Sequence, residues 1–490
     1  MSIFARVKEF FMNLFKTNAE KEFKVDIISS EIMELAQNEW QAIIKGRPYW
    51  AKDNVKTINF AKFLCYYTAK KTCMDLNITV SGSQRANYIN QCIKAMIQKS
   101  IRDKVEDACG AGGIILKPNG TYNPAGAIDY VMPGSFAVTE KNSNGDILGI
   151  IFIDRLVKGE DYYTRLEYQH FTSSIMDDGE SVGRTYAIEN IAYKSKGGDR
   201  LGEKIHLTDV PEWKNIPETQ VLSNVEKPLF GYFKMPYNNT IDYSSPEGVA
   251  IFANCIKELN DLDVAWSRKG DEVEDSQHLT FIDENALEKR NKDTGDKERV
   301  SLPRFVHGLK HGVDAQSTID EHVPTLLTDQ RITDINSILS MISTKVGFSQ
   351  GQFILDRKTG MITATQIESD DSETVETIND IRTALKMAIK DLIYALDKYC
   401  DVYYNMPSGY VNALDEDVAD EDVFYFKDLL ASFEQDRTRA YQLMIQGVYS
   451  KRKYLKEYEG FNDEEIDKMQ AEIQEERESE QKQQGLFGEE

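Results

Sequence analysis

The chain has 490 residues, is 41% hydrophobic and carries a formal net charge of -23. A chain of this length and hydrophobic content can bury a large core in roughly two to four domains, which excludes an intrinsically disordered protein. The acidic balance argues against an outer surface that wraps nucleic acid, because phosphate binding needs clustered Lys and Arg, although it does not exclude DNA passing by.

The cysteines and the hydropathy pattern indicate the compartment. The 6 cysteines form no C-x-x-C pair and are widely spaced, which predicts reduced, mostly buried thiols. No apolar run approaches the roughly 18 residues of a membrane span, and the N-terminus lacks the uninterrupted apolar core of a secretory signal. We therefore expect a protein of the cytoplasm.

The first predicted element is an amphipathic helix over Met1 to Lys16. Its apolar face carries Ile3, Phe4, Val7, Phe10, Phe11, Leu14 and Phe15. Such a face can lie on a membrane surface or dock on a neighbouring domain or subunit. Docking is the simpler hypothesis, and membrane attachment is kept as the alternative.

Helical spacing continues through the next hundred residues and then gives way to strands. Two helices around a turn are predicted between Ile27 and Val80, and more helix from Ser83 to Asp107. The glycines of Gly110 to Gly113 then lead into the apolar run Ile114 to Leu116. A dinucleotide site or P-loop needs glycines that leave a strand and open a helix, so we exclude a nucleotide site here.

A β-rich segment follows, in which short apolar or alternating runs are separated by turns. The predicted strands are Ala127 to Met132, Ile147 to Ile153, Tyr163 to His170, Arg184 to Ile191, Ile191 to Tyr193 and Leu229 to Lys234. Helical spacing resumes at Val249 and extends through Trp266. The highly charged stretch Asp283 to Arg299 predicts a solvated loop, and a second helix is predicted over Leu326 to Val346.

The stretch from Gly347 to Cys400 opens as a loop and ends as the longest helical pattern. Apolar residues at helical spacing from Ile362 to Cys400 predict one helix of roughly 55 to 60 Å. Acidic side chains dominate its first half and basic side chains its second, which suits the helix dipole. A surface helix with a favourable dipole would show the same pattern.

This region resembles the tunnel loop and tunnel helix of bacteriophage portal proteins, in particular those of phages with long non-contractile tails. The resemblance rests on the loop, the run Thr363 to Ile367 and the long helix, although the family usually has Glu where this chain has Gln366. Similar motifs occur in matching order along the chain: Trp40 with Gly46 to Trp50, Ile128 to Pro133, Asn144-Gly145, Tyr163 to Glu167, Leu229 to Lys234 with Ser244 to Gly248, and Gly447 to Ser450 with Gly460 to Glu465.

The resemblance implies an α+β portal fold with an α/β wing, a helical stem, a small β-containing clip, a long tunnel helix and an α-helical crown. The implied segments are the N-terminal helix and wing at 1–245, the first stem helix at 246–276, the clip at 277–324, the second stem helix at 325–346, the tunnel loop at 347–361, the tunnel helix and wing return at 362–424, and the crown with an acidic C-terminal tail at 425–490.

The resemblance also implies a function. A portal subunit forms a homo-oligomeric, dodecameric ring at one capsid vertex of the virion, after assembly in the host cytoplasm, and the ring is the channel for DNA packaging and ejection. The implied partners are terminase, head-completion or adaptor proteins, major capsid and scaffold proteins, and double-stranded DNA passing through the channel. No cofactor is implied.

The resemblance assigns two sets of site residues. Portals place the tunnel loop at the lumen, so the implied DNA-channel residues are Phe353, Arg357 and Lys358, each repeated around the ring by symmetry. The clip would contact terminase or head-completion proteins through Lys289, Arg290, Lys292 and Lys297. As an alternative for the loop, Arg357 and Lys358 pair with Asp356 or Glu368 on the surface.

No motif predicts an enzyme or a metal site. Neither a nucleophile elbow nor a P-loop motif occurs in the sequence. His307 and His311 are four residues apart, but the adjacent Gly308 and Gly312 argue against a helix that would present both to a metal. A hypothesis of a different class is an acidic cytosolic scaffold that docks on membranes through Met1 to Lys16.

Overall fold

The computed structural model describes residues 16–28, 30–52, 55–172, 185–197, 200–275, 279–283, 288–290, 297–299, 306–309, 319–322, 327–355, 372–427, 429, 433–459, 461 and 466–469. The chain divides into two compact units, Met1–Lys427 and Asp428–Glu490. Helices and sheets are mixed in the first unit. Among the described helices, none is long and apolar enough to cross a membrane.

Five helices precede the sheets. They are α1 (16–23), α2 (Glu31–Ile44), α3 (Phe60–Thr72), α4 (Gln84–Lys99) and α5 (Ile101–Ala111). Serine side chains cap two of them, since Ser30 Oγ accepts from Met33 N at 3.4 Å and Ser83 Oγ accepts from Ala86 N at 3.2 Å. The helices predicted in these regions are confirmed, with a break at Ser100 between α4 and α5.

Two antiparallel sheets follow, and β1 belongs to a separate short ladder. Their strands are β1 (Asn77–Ile78), β2 (Gly113–Pro118), β3 (Ile128–Val131), β4 (Phe136–Lys141), β5 (Ile147–Lys158), β6 (Asp161–Thr172), β7 (Thr185–Ser195), β8 (Glu203–Ile205), β9 (Thr219–Leu222) and β10 (Gly231–Lys234). One sheet has the order β10-β2-β3 and the other β4-β5-β6-β7-β8, with β9 also paired to β7. The glycines before Ile114 enter β2, as predicted.

The sheets also correct two expectations. Strand β4 was not predicted, and the two runs predicted around Ile191 form the single strand β7. Strand β7 pairs along its whole length with β6, from Tyr162 opposite Ser195 to Thr172 opposite Thr185. This continuous ladder leaves no break at Ile191.

A buried ionic network joins the two sheets. Lys117 Nζ of β2 lies 2.7 Å from Glu167 Oε2 of β6, and Arg165 Nη1 lies 3.1 Å from the same oxygen. Burial alone would raise the pKa of Glu167, but the charges of Lys117 and Arg165 lower it to about 2. The carboxylate therefore stays ionised between its two cations.

The helix predicted from Val249 begins seven residues later. Helix α6 spans Ile256–Asp275, whereas the backbone before it lies against the end of α5, where Ile251 N donates to Cys109 O at 3.0 Å. Gly248 and Gly112 approach so closely that a Cβ on Gly248 would lie 2.0 Å from Gly112 O. Val249 and Phe252 are buried in a loop and turn that lead through the 3-10 turn Ala253–Cys255 into α6, so their spacing reflects core packing and not α-helix.

The next region is β-containing. Its strands are β11 (Leu279–Asp283), β12 (Glu288–Arg290), β13 (Lys297–Arg299), β14 (Val306–Leu309) and β15 (Ile319–His322). Three form a sheet in the order β14-β11-β15, and β12 pairs antiparallel with β13. The expectation of a loop over 283–299 was therefore wrong for β12 and β13, where Glu288 is in register with Arg299.

Two long helices complete the first unit. Helix α7 spans Thr328–Val346, and α8 spans Ser372–Val402, which is 31 residues and about 46 Å at 1.5 Å per residue. The apolar face of α8 is buried at Ile378, Ile381, Leu385, Ile389, Leu392, Ile393 and Leu396. This confirms the predicted helical spacing and makes α8 a core helix instead of a surface helix. Its predicted first residues, 362–371, lie outside the described residues.

A short return closes the first unit. Helix α9 (Asp420–Val423) leads into strand β16 (Phe424–Tyr425), which pairs antiparallel with β1. All six cysteines are free, and five of them are buried, as the sequence predicted for reduced thiols.

The second unit contains helices α10 (Phe433–Ile445) and α11 (Lys451–Glu457). The rings of Tyr441 and Tyr454 pack with their centroids 5.8 Å apart, so the two helices contact each other. Arg452 Nη1 lies 2.8 Å from Asp467 Oδ1. Residues 470–490, which include the acidic C-terminal tail, lie outside the described residues.

Candidate functional site

The candidate site is the connection between α7 and α8, and it begins with a sharp turn at Gly347. The φ angle of Gly347 is +82°, and a Cβ there would lie 2.6 Å from Thr377 Oγ1, so both conformation and space favour glycine. Phe348 N donates to Ser343 O at 2.8 Å, which completes the end of α7. The buried Phe348 ring then fixes the direction in which the chain leaves the helix.

The start of this connection is tied to the first turn of α8. Ser349 N donates to Thr374 Oγ1 at 2.9 Å, and Thr374 N donates to Ser349 Oγ at 3.3 Å. Thr377 Oγ1 also donates to Gly347 O. The free N–H groups at a helix start need such partners, so the loop caps the helix that follows it.

Phe353 packs into an aromatic cluster formed with α3. Its ring centroid lies 5.5 Å from Phe60, 5.6 Å from Phe63, 5.2 Å from Tyr67 and 5.8 Å from Phe348. These near-perpendicular contacts are a favourable aromatic geometry. Gln352 Nε2 donates to Tyr67 OH at 2.8 Å beside them. Phe353, predicted as a channel residue, is half-buried and anchors the loop to the N-terminal helices.

A second attachment lies at Leu355. Leu355 N donates to Asn336 Oδ1 at 2.7 Å, and Asn336 Nδ2 donates to Leu355 O at 2.9 Å. Asn336 is in the middle of α7, about 15 Å before its end. Residues 348–355 therefore run back along α7, and the chain leaves the described structure beside Asn336.

The basic pair predicted for the channel, Arg357 and Lys358, lies outside the described residues. Both follow closely after Leu355, and Ser372 is the first described residue beyond them. The intervening segment 356–371 is thus held at both ends, by the Leu355–Asn336 bonds and by the capped start of α8. Phe353 is the only predicted channel residue that the structure describes.

Helices α6 and α7 form an antiparallel pair joined by ion pairs near both ends. Glu272 Oε2 lies 2.8 Å from Arg331 Nε, and Glu258 Oε1 lies 2.6 Å from Lys345 Nζ. The hydrogen bond from Arg331 lowers the pKa of Glu272. Leu327 N also donates to Glu272 Oε1 at 2.7 Å. The end of α6 and the start of α7 are therefore held together at the point where the chain enters and leaves the region of β11 to β15.

Asp263 of α6 fixes the helix pair to the N-terminal segment, a contact that the sequence analysis missed. Its two carboxylate oxygens accept from Trp50 Nε1 at 2.8 Å and from Ile58 N at 3.0 Å. Asp263 is buried. The signal in the sequence that could have predicted this contact was Asp263 itself, an acidic residue directly after Leu262 in a helix with an apolar stripe.

Three of the four predicted partner-contact residues lie in strands β12 and β13. In register, Lys289 is opposite Glu298 and Arg290 is opposite Lys297. Lys292 lies outside the described residues. The structure thus assigns three of the four to one hairpin, remote in sequence from the loop at Leu355.

The structure describes one of the two histidines considered as metal ligands, His307. His307 lies in strand β14, opposite Phe281 of β11, and not in a helix. His311 lies outside the described residues. Within the ranges that the structure describes, no group of His, Cys, Asp and Glu could hold a metal ion.

Comparison with known proteins gives one family match. A family model described as "Phage portal protein, SPP1 Gp6-like" matches residues 134–479. No curated protein matches the chain significantly.

Two solved structures are similar at low identity. The virion of a native gene transfer agent particle is 9% identical, with a TM-score of 0.34, over 87% of this chain and 98% of that chain. The neck of a native gene transfer agent particle, computed with C12 symmetry, is 9% identical, with a TM-score of 0.36, over 85% and 91%.

Proposed function

Since this chain belongs to the SPP1 Gp6-like phage portal protein family, we propose that twelve copies form a ring at one capsid vertex, through which double-stranded DNA is packaged and later ejected. The observation that carries this proposal is the match over residues 134–479, which runs from the start of the six-stranded sheet into the second unit. The family is one of structural proteins and not of enzymes.

We assign the parts of the ring subunit from the order of the described elements. The N-terminal helices and the two sheets are the wing, the α6 and α7 pair is the stem, and β11 to β15 are the clip. Helix α8 is the tunnel helix, the α9 and β16 return belongs to the wing, and the second unit is the crown. The stem assignment is supported by the ion pairs that hold α6 and α7 antiparallel.

For the tunnel loop, we propose that Arg357 and Lys358 lie at the lumen of the channel. The attachments at Ser349 and Leu355 support it, because they fix both ends of the segment that carries the basic pair. In a closed ring each residue becomes a circle of charge. Exposed phosphate contacts are weak and screened at physiological salt, so such circles can guide DNA without trapping it. Phe353 anchors this loop.

For the clip, the proposal assigns docking of terminase and head-completion proteins to the β12–β13 hairpin, through Lys289, Arg290, Lys292 and Lys297. The two strands of the hairpin consist entirely of charged residues, which supports this role, since charged rims set partner choice and association rate more than stability. Major capsid and scaffold proteins would meet the ring during assembly in the host cytoplasm.

Negative-stain imaging of the purified chain tests the ring. The proposal predicts round particles with a central hole. A monomer that binds liposomes, and loses that binding with Phe10→Glu, would instead support the membrane-docking scaffold. That alternative depends on residues 1–15, which lie outside the described residues, and no described feature favours it.

A further inference from the structure

Helix α2 carries an apolar stripe on a face that the described residues leave exposed. Ile32 and Leu35 are 60% and 41% exposed, and Ile28, just before the helix, is 38% exposed. A neighbouring face of α2 is buried through Met33, Trp40 and Ile43. A helix that is apolar on both faces is suited to a second layer of packing on its open side.

The chain enters the described structure at the first turn of α2. Lys16 is the first described residue, and its ammonium group pairs with Glu34, the neighbour of Leu35. Helix α1 is itself held on the six-stranded sheet, where Ala19 is buried and the Phe23 ring lies 5.1 Å from that of Tyr168. Lys16, which directly follows the N-terminal segment, therefore lies close to the first turn of α2.

Residues 1–15 have the composition and the length to cover the stripe. Their apolar positions are Ile3, Phe4, Val7, Phe10, Phe11, Leu14 and Phe15. Fifteen residues at the rise of a helix extend about 22 Å, close to the length of α2. Arg6 and Lys8 outnumber Glu9 in this segment, and the exposed Glu31 in the first turn of α2 is a complementary charge.

We propose that residues 1–15 dock as an amphipathic helix on the stripe of Ile28, Ile32 and Leu35 in the same chain. The N-terminal segment then forms an outer layer of this face of the protein. Its apolar side chains are used within the chain, so they are not available as a membrane anchor. The inference is independent of the ring and of its channel.

Hydrogen exchange on the full-length protein tests the docking. An isolated helix of this length is marginal in water, so a synthetic peptide of residues 1–15 gives the undocked rate. We expect exchange in the protein to be about tenfold slower or more. The double variant Ile32→Glu with Leu35→Glu should restore the peptide rate. Val157→Glu is the matched control, since Val157 is 61% exposed on β5, and should leave the protection unchanged.

A cysteine pair identifies the occupant. With Cys73, the half-buried cysteine, replaced by Ser, Phe11→Cys and Leu35→Cys should oxidise to a bond within one chain, with no change of mass on a denaturing gel. Dimers on that gel would show that a second copy covers the stripe and would overturn the proposal. So would wild-type exchange at the peptide rate, or binding of the wild-type protein to anionic vesicles.

Discussion

Asn336 and Leu355 exchange two hydrogen bonds, at 2.7 and 2.9 Å, and so fasten the chain after α7 back onto the middle of that helix. The segment that carries Arg357 and Lys358 starts from this point. Together with the Ser349 and Thr374 pair, the contact fixes where the proposed tunnel loop begins and ends.

Asn336→Ala should release the loop without unfolding the protein. The half-exposed side chain makes two hydrogen bonds, so we expect a loss of about 1 kcal/mol in the free energy of unfolding. Tryptic cleavage at Arg357 and Lys358 should become several-fold faster, as followed by mass spectrometry. Thr333→Ala, a change on the exposed face of the same helix, is the control. Equal cleavage rates in both variants would show that the Leu355 contact does not hold the loop.

Two Gly→Ala substitutions should change stability in opposite directions. Gly347→Ala places a side chain at φ +82° and 2.6 Å from Thr377 Oγ1, which should cost about 1 to 2 kcal/mol or more. Gly270 lies within α6 with nothing near its Cβ position, so Gly270→Ala should stabilise by about 0.5 to 1 kcal/mol. Urea unfolding of both variants measures the sign of each change in the free energy of unfolding. A stabilising Gly347→Ala would contradict the described turn.

The buried Glu167 makes stability depend on acid pH. Its pKa is about 2 in the folded protein against an ordinary 4.5, so its contribution is present above pH 4.5 and is lost as the pH falls towards 2. Glu167→Gln leaves Lys117 and Arg165 without their carboxylate and should destabilise by about 3 to 5 kcal/mol at pH 7. Between pH 4.5 and 3 the variant should lose less stability than the wild type. If urea unfolding shows that the wild type and the variant lose equal free energy of unfolding between pH 4.5 and 3, the result would contradict the network.

Charge reversal tests the proposed channel residues. The double variant Arg357→Glu with Lys358→Glu should still form rings but should package or retain less DNA, because a basic circle becomes an acidic one facing phosphates. The measurement is DNA content per particle in a complementation assay. Lys94→Glu with Lys99→Glu, at two exposed positions of α4, is the control. If packaging and retention stay normal, these side chains do not touch DNA.

The hairpin of β12 and β13 is expected to be dispensable for folding. Replacing residues 288–299 with a Gly/Ser linker leaves β11 and its sheet in place and should preserve rings while packaging fails, since the charged partner surface is gone. Ring images and packaged DNA are the two readouts. Loss of solubility would mean that the hairpin is part of the structural core.

Long periodic elements were predictable from the sequence, and contacts between distant segments were not. The buried face of α8 repeats over 31 residues, enough for its period to be unambiguous. Val249 and Phe252 had the same spacing, but they lie in a short loop and turn beside α5, and local spacing alone cannot separate these cases. The β12–β13 hairpin was missed because a charged sequence normally indicates solvent and not a strand.

The candidate site was predictable only in outline. The order of motifs identified the family and the loop between α7 and α8. The contact between Phe353 and Tyr67 joins residues almost three hundred positions apart, and the bonds of Asn336 and Ser349 involve common polar side chains without a motif. Such partners are set by tertiary packing, which no local pattern encodes.

The mass of the assembled particle tests the central claim most directly. A dodecameric portal ring predicts a native mass twelve times the 55.9 kDa of the chain. A folded protein that stays at the mass of a single chain at every concentration, and in the presence of its capsid partners, would contradict the account.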